Sequence, residues 1–456
     1  MIEAILISGP KNALDVSVGS ARTCYSSKIV SPEKTSSWSK KTDLAKDLYK
    51  AGHHTTLQHT HFTFMLSNVS RLSVWRFFHS HRFYNSDQQS QRYVKIDGNT
   101  FYIPDNMSDK DKNVLQALHQ TLSSKYNEIC EILEKDFQKS ENRVERNIAN
   151  KKAMENARYI FPQNVKTNLY HTVNLSTLLR YYSVKSSIPD ATQEIEEIVE
   201  KMIESLLVYS PELKPLFDQV DLLDRKEVRS YYPEKEIPYY DGVCLKNNSC
   251  HQVLPEKNKY SFYMNEGGVS ALFNQPESEY HFTFDFAISL SADAQDQRHR
   301  AAMGVRPVLM DILKEINKKD FENRIYVPDA IEKNDTAKKI YFEAIWEIYK
   351  VMQEIESVDY KPYLIPNGFK IMVSETNNFQ DFVHKAQKRL CLNSQEEIRR
   401  LTENMVNDFN RALAYEKHPL LVPPCVMRFK ENVRPYCPEG DRFCGIKEWK
   451  KEKYSV

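Results

Sequence analysis

Two rhythms of apolar residues divide this chain. Met1–Ile7 reads as a strand, and at His61–Leu66 the residues Phe62, Phe64 and Leu66 alternate with polar neighbours, the period of a half-buried strand. Elsewhere the period is helical. From Ser108, a good N-cap, the residues Val114, Leu115, Leu118, Leu122, Tyr126, Ile129 and Leu133 recur at helical spacing as far as Phe137. Further helices are predicted over Thr42–Ala51, stopped by Gly52, from Asn142 towards Pro162, and over Ala191–Tyr209. Phe101–Pro104 reads as a strand end.

The same succession then comes round again. His281 opens HFTFDFAISLSADAQDQRHR, which repeats the HFTF of His61–Phe64 and ends in Arg298-His299-Arg300 where the first stretch has Ser80-His81-Arg82. After each comes a long helix, Asp109–Phe137 and Ala337–Glu356, then YIFP at Tyr159 and YLIP at Tyr363, then Asn174 and Asn378, then a closing helix. Four signals in one order outweigh a chance likeness of amphipathic stretches. The chain reads as two diverged copies of an α+β domain, 1–222 and 223–424, with a charged, Pro/Tyr-rich linker near Leu222–Tyr240 and a Cys-containing tail over 425–456.

Composition narrows the chemistry. A chain of 456 residues that is 41% apolar can fill two cores. Its net charge of +1 leaves no global field for nucleic acid or a membrane surface, so cationic function has to come from local clusters. No apolar run nears the roughly 20 residues of a membrane span, and no signal peptide is seen, so a soluble, cytoplasmic protein is expected. Glycine is scarce, 11 residues, and neither G-x-G-x-x-G nor a Walker A loop occurs. Any nucleotide must be gripped by side chains.

Eight scattered cysteines suit a reducing compartment. Cys425, Cys437 and Cys444, with a fourth ligand from Cys250, Cys391 or His418, have the chemistry for zinc. There is no C-x-x-C pair, however, and no metal is expected.

The densest polar block follows the first strand: His79, Ser80, His81, Arg82, Asn85, Asp87, Gln88, Ser90 and Arg92, among aromatic side chains. Alone, an Arg-His-Arg cluster reads as a surface salt-bridge group, and Asn174 or Asn378 as a helix cap. In order, these residues resemble a known signature. The pattern R-H-R, seven residues, Ser, then R-Y is that of the flavin-dependent thymidylate synthases, and here it reads Ser80-His81-Arg82, FYNSDQQ, Ser90-Gln91-Arg92-Tyr93. GHHTTLQH from Gly52 resembles that family's G-H-x-S-x-x-E-H, Ser70-Arg71 its S-R pair, and Arg158 and Asn174 its later Arg and Asn.

The two copies have lost different parts. The second keeps Gln295-x-x-Arg298-His299-Arg300, Asn378 and Arg389 but lacks the Ser-x-Arg-Tyr block and the Arg before L-P. The first keeps Ser90, Arg92 and Arg158 but has Phe77, Ser80 and Lys185 where the family has Gln, Arg and Arg.

The resemblance implies methylation of dUMP to dTMP with FAD, methylenetetrahydrofolate and NADPH, at a composite site drawn from both halves. It also implies a homodimer forming a pseudotetramer. It assigns catalysis to Ser90, Gln295 and Arg389, and the substrate to Gln88, Gln89, Ser90, Gln91, Arg92, Arg158, Gln295 and Arg389. It assigns the cofactor to His53, Thr55, His81, Arg82, Asn85, Gln88, Asn174, Arg298, His299, Arg300 and Asn378. Two alternatives stay open: a paralogue acting on C5 of another pyrimidine nucleotide, whose signs are Gln88 in place of a Glu and Lys185 in place of the late Arg, and a flavin- or nucleotide-binding protein without turnover, whose sign would be sites too degraded to assemble in either half.

Overall fold

The computed structural model describes residues 1–96, 100–249, 279–413 and 421–451. The alternating stretches become strands. β1 (Glu3–Ser8), β2 (His61–Ser70), β3 (Asn85–Gln88) and β4 (Lys166–Asn174) form an antiparallel sheet in the order β1-β2-β4-β3. β5 (Val243–Asn248), β6 (His281–Ser289), β7 (Met303–Val305) and β8 (Lys370–Asn378) form a second with the order β5-β6-β8-β7. The same order of equivalent strands is the duplication in three dimensions. Phe62, Phe64 and Leu66 of β2, and Phe282, Phe284 and Phe286 of β6, are fully buried, as a period of two requires when one face meets a core.

The helical stretches cover those faces. α1 (Asp109–Gln138) starts where Ser108 Oγ accepts from the Asp111 amide, and it packs on its counterpart α4 (Asp335–Glu354) in the other half. α2 (Leu175–Val184) and α3 (Thr192–Tyr209) close the first half, α5 (Phe379–Arg389) and α6 (Glu396–Ala412) the second. The helix expected from Asn142 is two helices, Arg143–Asn147 and Ala149–Ala157, followed by a 3-10 turn. Phe101 makes only a single bridge, to Val165.

Two local irregularities offset the copies. The path from His61 to Ser70 holds one residue more than that from His281 to Ser289, and β2 absorbs it in a bulge with Asn68 at φ 61°. Another extra residue lies between Ser70 and His81, where the chain widens into a π-turn over Val74–Phe78.

The halves join through the segments that looked alike. Pro162 lies opposite Pro366 in an antiparallel bridge. Around it Gln163 N donates to Ile365 O (3.0 Å), Asn164 N to Tyr363 O (2.9 Å), Asn367 N to Phe161 O (2.7 Å) and Gly368 N to Tyr159 O (2.9 Å). Gly368 is needed here, since a Cβ would stand 2.7 Å from the Tyr341 hydroxyl and 3.3 Å from Tyr159 O. Each half also sends a tyrosine into the other. Tyr159 donates to Glu397 (2.8 Å), and Tyr363 hydrogen-bonds Glu194. Those two carboxyls hold the starts of equivalent helices: Glu194 takes Ser70 N and Oγ (2.5 Å each), and Glu397 takes Ser289 N (2.7 Å) and Oγ (2.6 Å). One continuous apolar core runs through both halves.

A second tie is ionic. Arg76 and Asp190 form an ion pair with both side chains almost wholly buried. Arg76 also donates to Pro307 O (2.7 Å), while Asp190 accepts from the amides of Leu309 (3.0 Å) and Met310 (2.9 Å) of the second half. Asp190→Asn leaves an uncompensated buried guanidinium, and a loss of about 3–5 kcal/mol is expected in chemical denaturation. The exposed Lys110–Glu356 pair serves as control: Lys110→Ala should cost less than about 1 kcal/mol.

Candidate active site

At the junction of the halves two buried guanidinium groups have no ion-pair partner among the described residues. Arg158, in the turn after the helix Ala149–Ala157, is 3% exposed, and its Nε and Nη2 have no hydrogen-bond partner. Arg71, buried beside it, is held down to about 9 first by burial and then by the Arg158 charge. Neither forms an ion pair among the described residues. Leaving a guanidinium unpaired in the interior costs several kcal/mol, which an incoming anion recovers. Gln91 is equally buried, and its Nε2 lacks a partner.

The rest of the first-half block closes round this point. Ser90 lies just beyond β3, where its Oγ accepts from the Arg92 amide (3.2 Å). Arg92 Nε donates to Glu155 (2.6 Å), one helical turn before Arg158, and its Nη2 reaches the carbonyl of Asn393 in the second half (3.1 Å). Asn367 of the second half donates to Gln91 Oε1 (3.2 Å) and to Arg158 O (3.0 Å).

The second half supplies the facing wall. Arg389, at the end of α5, donates through Nε to His299 Nε2 (2.9 Å) and through Nη2 to Gln295 O (2.7 Å). Burial pulls its pKa down to about 10, helped by the charges of Arg298 and Arg92. Burial also holds the His299 imidazole far below its ordinary value, so His299 accepts from Arg389 as a neutral ring and adds no charge. The Gln295 side-chain amide meets that of Gln395, whose own amide meets the Tyr159 hydroxyl. A cavity of about 510 Å³ opens beside Glu155 and Ser394.

A more exposed rim surrounds β3. Arg298 donates to Ser86 O (3.3 Å) and Asp87 (3.2 Å). Arg300 holds Tyr84 O and Asn85 Oδ1 (2.9 Å), and Arg82 reaches Ala301 O (2.8 Å). His81 is tied to the Tyr181 hydroxyl (2.6 Å), which His171 also meets (3.0 Å), and His79 stacks on Tyr84. Burial keeps these rings neutral, with His79 pushed down to about 3 and His81 to about 4.

Not every expected residue joins the cluster. Gln88 is the last residue of β3, and Gln89 is exposed and accepts from Asn168 (3.2 Å). His53 and Thr55 are exposed, the first just before and the second within the 3-10 turn His54–Gln58, to either side of His54, which Arg180 approaches (3.4 Å). Asn174 and Asn378 are N-caps, accepting from the amides of Thr177 (2.9 Å) and Asp381 (2.8 Å). Sequence reasoning missed Glu155, Asn367, Asn393 and Gln395. Only Glu155 carried a signal, a carboxylate spaced one helical turn before Arg158.

The reciprocal corner is filled differently. Matching Tyr159–Asn164 to Tyr363–Gly368 puts Pro362 where Arg158 stands and Lys185 where Arg389 stands. Lys185 is paired with Glu200 (2.5 Å) and Glu196 (3.5 Å), Arg76 with Asp190, and Arg306 grips Asp293 through two bonds of 2.7 Å while Trp75 donates to the same carboxylate (2.7 Å). A cavity of about 580 Å³ lies on this side, beside Asp190, Arg229 and Asp311, but its Arg229–Asp311 charges already pair (2.6 Å). The Arg158 corner is therefore the candidate site.

Comparison with known proteins agrees with the internal evidence. The family model "Thymidylate synthase complementing protein" matches residues 5–212 and again 244–413. A flavin-dependent thymidylate synthase of Clostridium tetani is 30% identical over 216 residues, covering 46% of this chain and 85% of that protein. One of Pyrococcus horikoshii is 33% identical over 199 residues, covering 43% and 73%. Among solved structures, a flavin-dependent thymidylate synthase of Helicobacter pylori complexed with FAD and dUMP overlaps 48% of this chain and 99% of its own at 20% identity and a TM-score of 0.35. A UMP/dUMP methylase of Streptomyces cacaoi overlaps 48% and 95% at 20% identity and a TM-score of 0.36. The family model matches two successive segments with the same strand order, and the chain belongs to the thymidylate synthase complementing protein family.

Proposed function

We propose that this chain is a flavin-dependent thymidylate synthase with one composite active site per chain. It methylates dUMP to dTMP with methylenetetrahydrofolate as carbon donor and NADPH as reductant. The observation that carries the reading is the buried Arg158 guanidinium, whose Nε and Nη2 have no partner and which lies near Arg92, itself reaching Asn393 and, by its charge, Arg389 of the other half.

The roles follow from the chemistry of each group. Arg158 and Arg92 take the nucleotide 5′-phosphate, because guanidinium forks match phosphate oxygens and Arg158 has two nitrogens free for them. Gln295 and Arg389 face the uracil edge, with Arg389 aimed by the neutral His299. Ser90 lies beside the ring and polarises it without forming a covalent bond. FAD, when bound, supplies the redox chemistry that completes the methyl group. The exposed cations Arg82 and Arg298, with Arg300, suit its phosphates, while His81, neutral and bonded through both ring nitrogens to Tyr181 and the Phe83 amide, fixes the turn that carries Arg82. Two chains related by a dyad would give the pseudotetramer typical of duplicated tetrameric domains.

Expression in a thymidine-requiring strain should restore growth, and Ser90→Ala or Arg389→Ala should abolish the rescue; failure of the wild-type chain to rescue, while soluble and yellow, would reject the reading. Arg158→Met separates binding from folding. Without ligand the variant should melt at a higher temperature than wild type, because an unpaired buried charge is gone. Its affinity for dUMP should fall about 10- to 100-fold, the loss of two charge-assisted hydrogen bonds, measured by calorimetry.

A further inference from the structure

Four of the cysteines meet at one place, although they are scattered along the sequence. Cys391 lies in the turn after α5, Cys425 in the helix Pro424–Lys430, and Cys437 and Cys444 in the irregular tail beyond it. All four are free thiols and all four line a single cavity of about 20 Å³. Cys250 and His418 lie outside the described residues, and Cys391 is the fourth partner that the fold supplies.

The cavity suits an ion and not a water. Its volume is close to the roughly 10–15 Å³ that one water needs, but a buried water also needs two to four polar partners. Here the walls besides the thiols include Pro423, Pro424, Phe443 and Trp449, and the neighbouring Glu439 lies by Arg442 (3.6 Å). The Cys444 thiol donates to the Ile446 carbonyl (3.7 Å).

We propose that Cys391, Cys425, Cys437 and Cys444 bind one structural zinc ion. Four soft sulfur donors with no open position are the ligand set of closed tetrahedral zinc, at Zn–S distances of about 2.3 Å. Binding releases the four thiol protons to solvent and leaves a ZnS₄ centre of charge −2, with no change of oxidation state. Among the described residues no three His, Cys, Asp or Glu side chains already form a metal-ready group, so the sulfurs must swing inward on binding. Three of them sit outside helices, where the backbone permits it.

Such an ion would staple the tail to the active-site wall. Cys391 is two residues from Asn393, whose carbonyl takes Arg92 and whose side chain donates to Arg442 O in the tail. On the other side, Cys444 O accepts from Asn142 of the first half (2.9 Å). The zinc would thus join the loop behind Arg92 to a tail that touches both halves. This inference is independent of the reaction proposed above.

Elemental analysis of the full-length protein, purified reduced and dialysed against zinc and then against buffer, should find one zinc per chain. Cys437→Ser and Cys444→Ser should lose it, and the exposed Cys24→Ser should retain it. Should the serine variants fail to fold, wild type still decides: stripping the metal should make four more thiols reactive to a disulfide reagent, and cobalt in its place should give a thiolate charge-transfer band. Less than about a fifth of an equivalent after reconstitution, full retention in Cys437→Ser, or an unchanged thiol count on stripping would overturn the proposal.

Discussion

The antiparallel bridge at Pro162 and Pro366 is the constraint from which the rest of the molecule follows. A chain that folds two copies of one domain has to decide how they face each other, and here four backbone hydrogen bonds fix that relation about a local twofold axis. Tyr159 and Tyr363 cross that axis to the buried carboxyls Glu397 and Glu194, which in turn hold Ser289 and Ser70 at the starts of the helices leading into the polar blocks. Seam, helix start and site are thus one connected structure. Displacing the seam would displace Arg158, which directly precedes Tyr159.

Twofold geometry generates two corners, and divergence has treated them oppositely. In one, Arg158 and Arg71 have no ion-pair partner among the described residues, while Arg92 pairs with Glu155. In the other, Pro362 stands where Arg158 does, and the cations have counter-charges: Asp190 for Arg76, Glu200 for Lys185, Asp293 for Arg306. Each of these pairs lies within one half, and Arg76 and Asp190 also reach the Pro307 carbonyl and the Leu309 and Met310 amides across the halves, whereas in the function proposed above the first corner keeps Arg158 for a ligand. A single domain used in a symmetric assembly cannot separate the two tasks, because each substitution appears in both corners. Duplication within one chain removes that restriction.

Much of this was legible in the sequence, for physical reasons. Burial on one face imposes alternation on β2 and β6 and helical spacing on α1, so Phe62, Phe64 and Leu66 announced their strand directly. The recurring order of HFTF, Tyr-x-x-Pro and Asn showed the duplication, and its complementary losses pointed to a shared site. What stayed hidden were contacts set by tertiary placement. Asn393 acts through its carbonyl, which any residue carries, and the neutrality of His299 arises from burial that no local pattern encodes. Cys391 lies far in sequence from the tail cysteines that it meets. Asn174 and Asn378 were legible in two ways, and the structure shows the helix cap in both.

The claim that one corner binds and the other only holds the halves together is tested most directly by counting. Equilibrium titration of the purified protein with dUMP, in the presence of FAD, should saturate at one nucleotide per chain. Arg92→Ala in one half and Arg389→Ala in the other should each abolish that single event. Two equivalent nucleotides per chain, or one that survives either substitution, would contradict a composite site at Arg158.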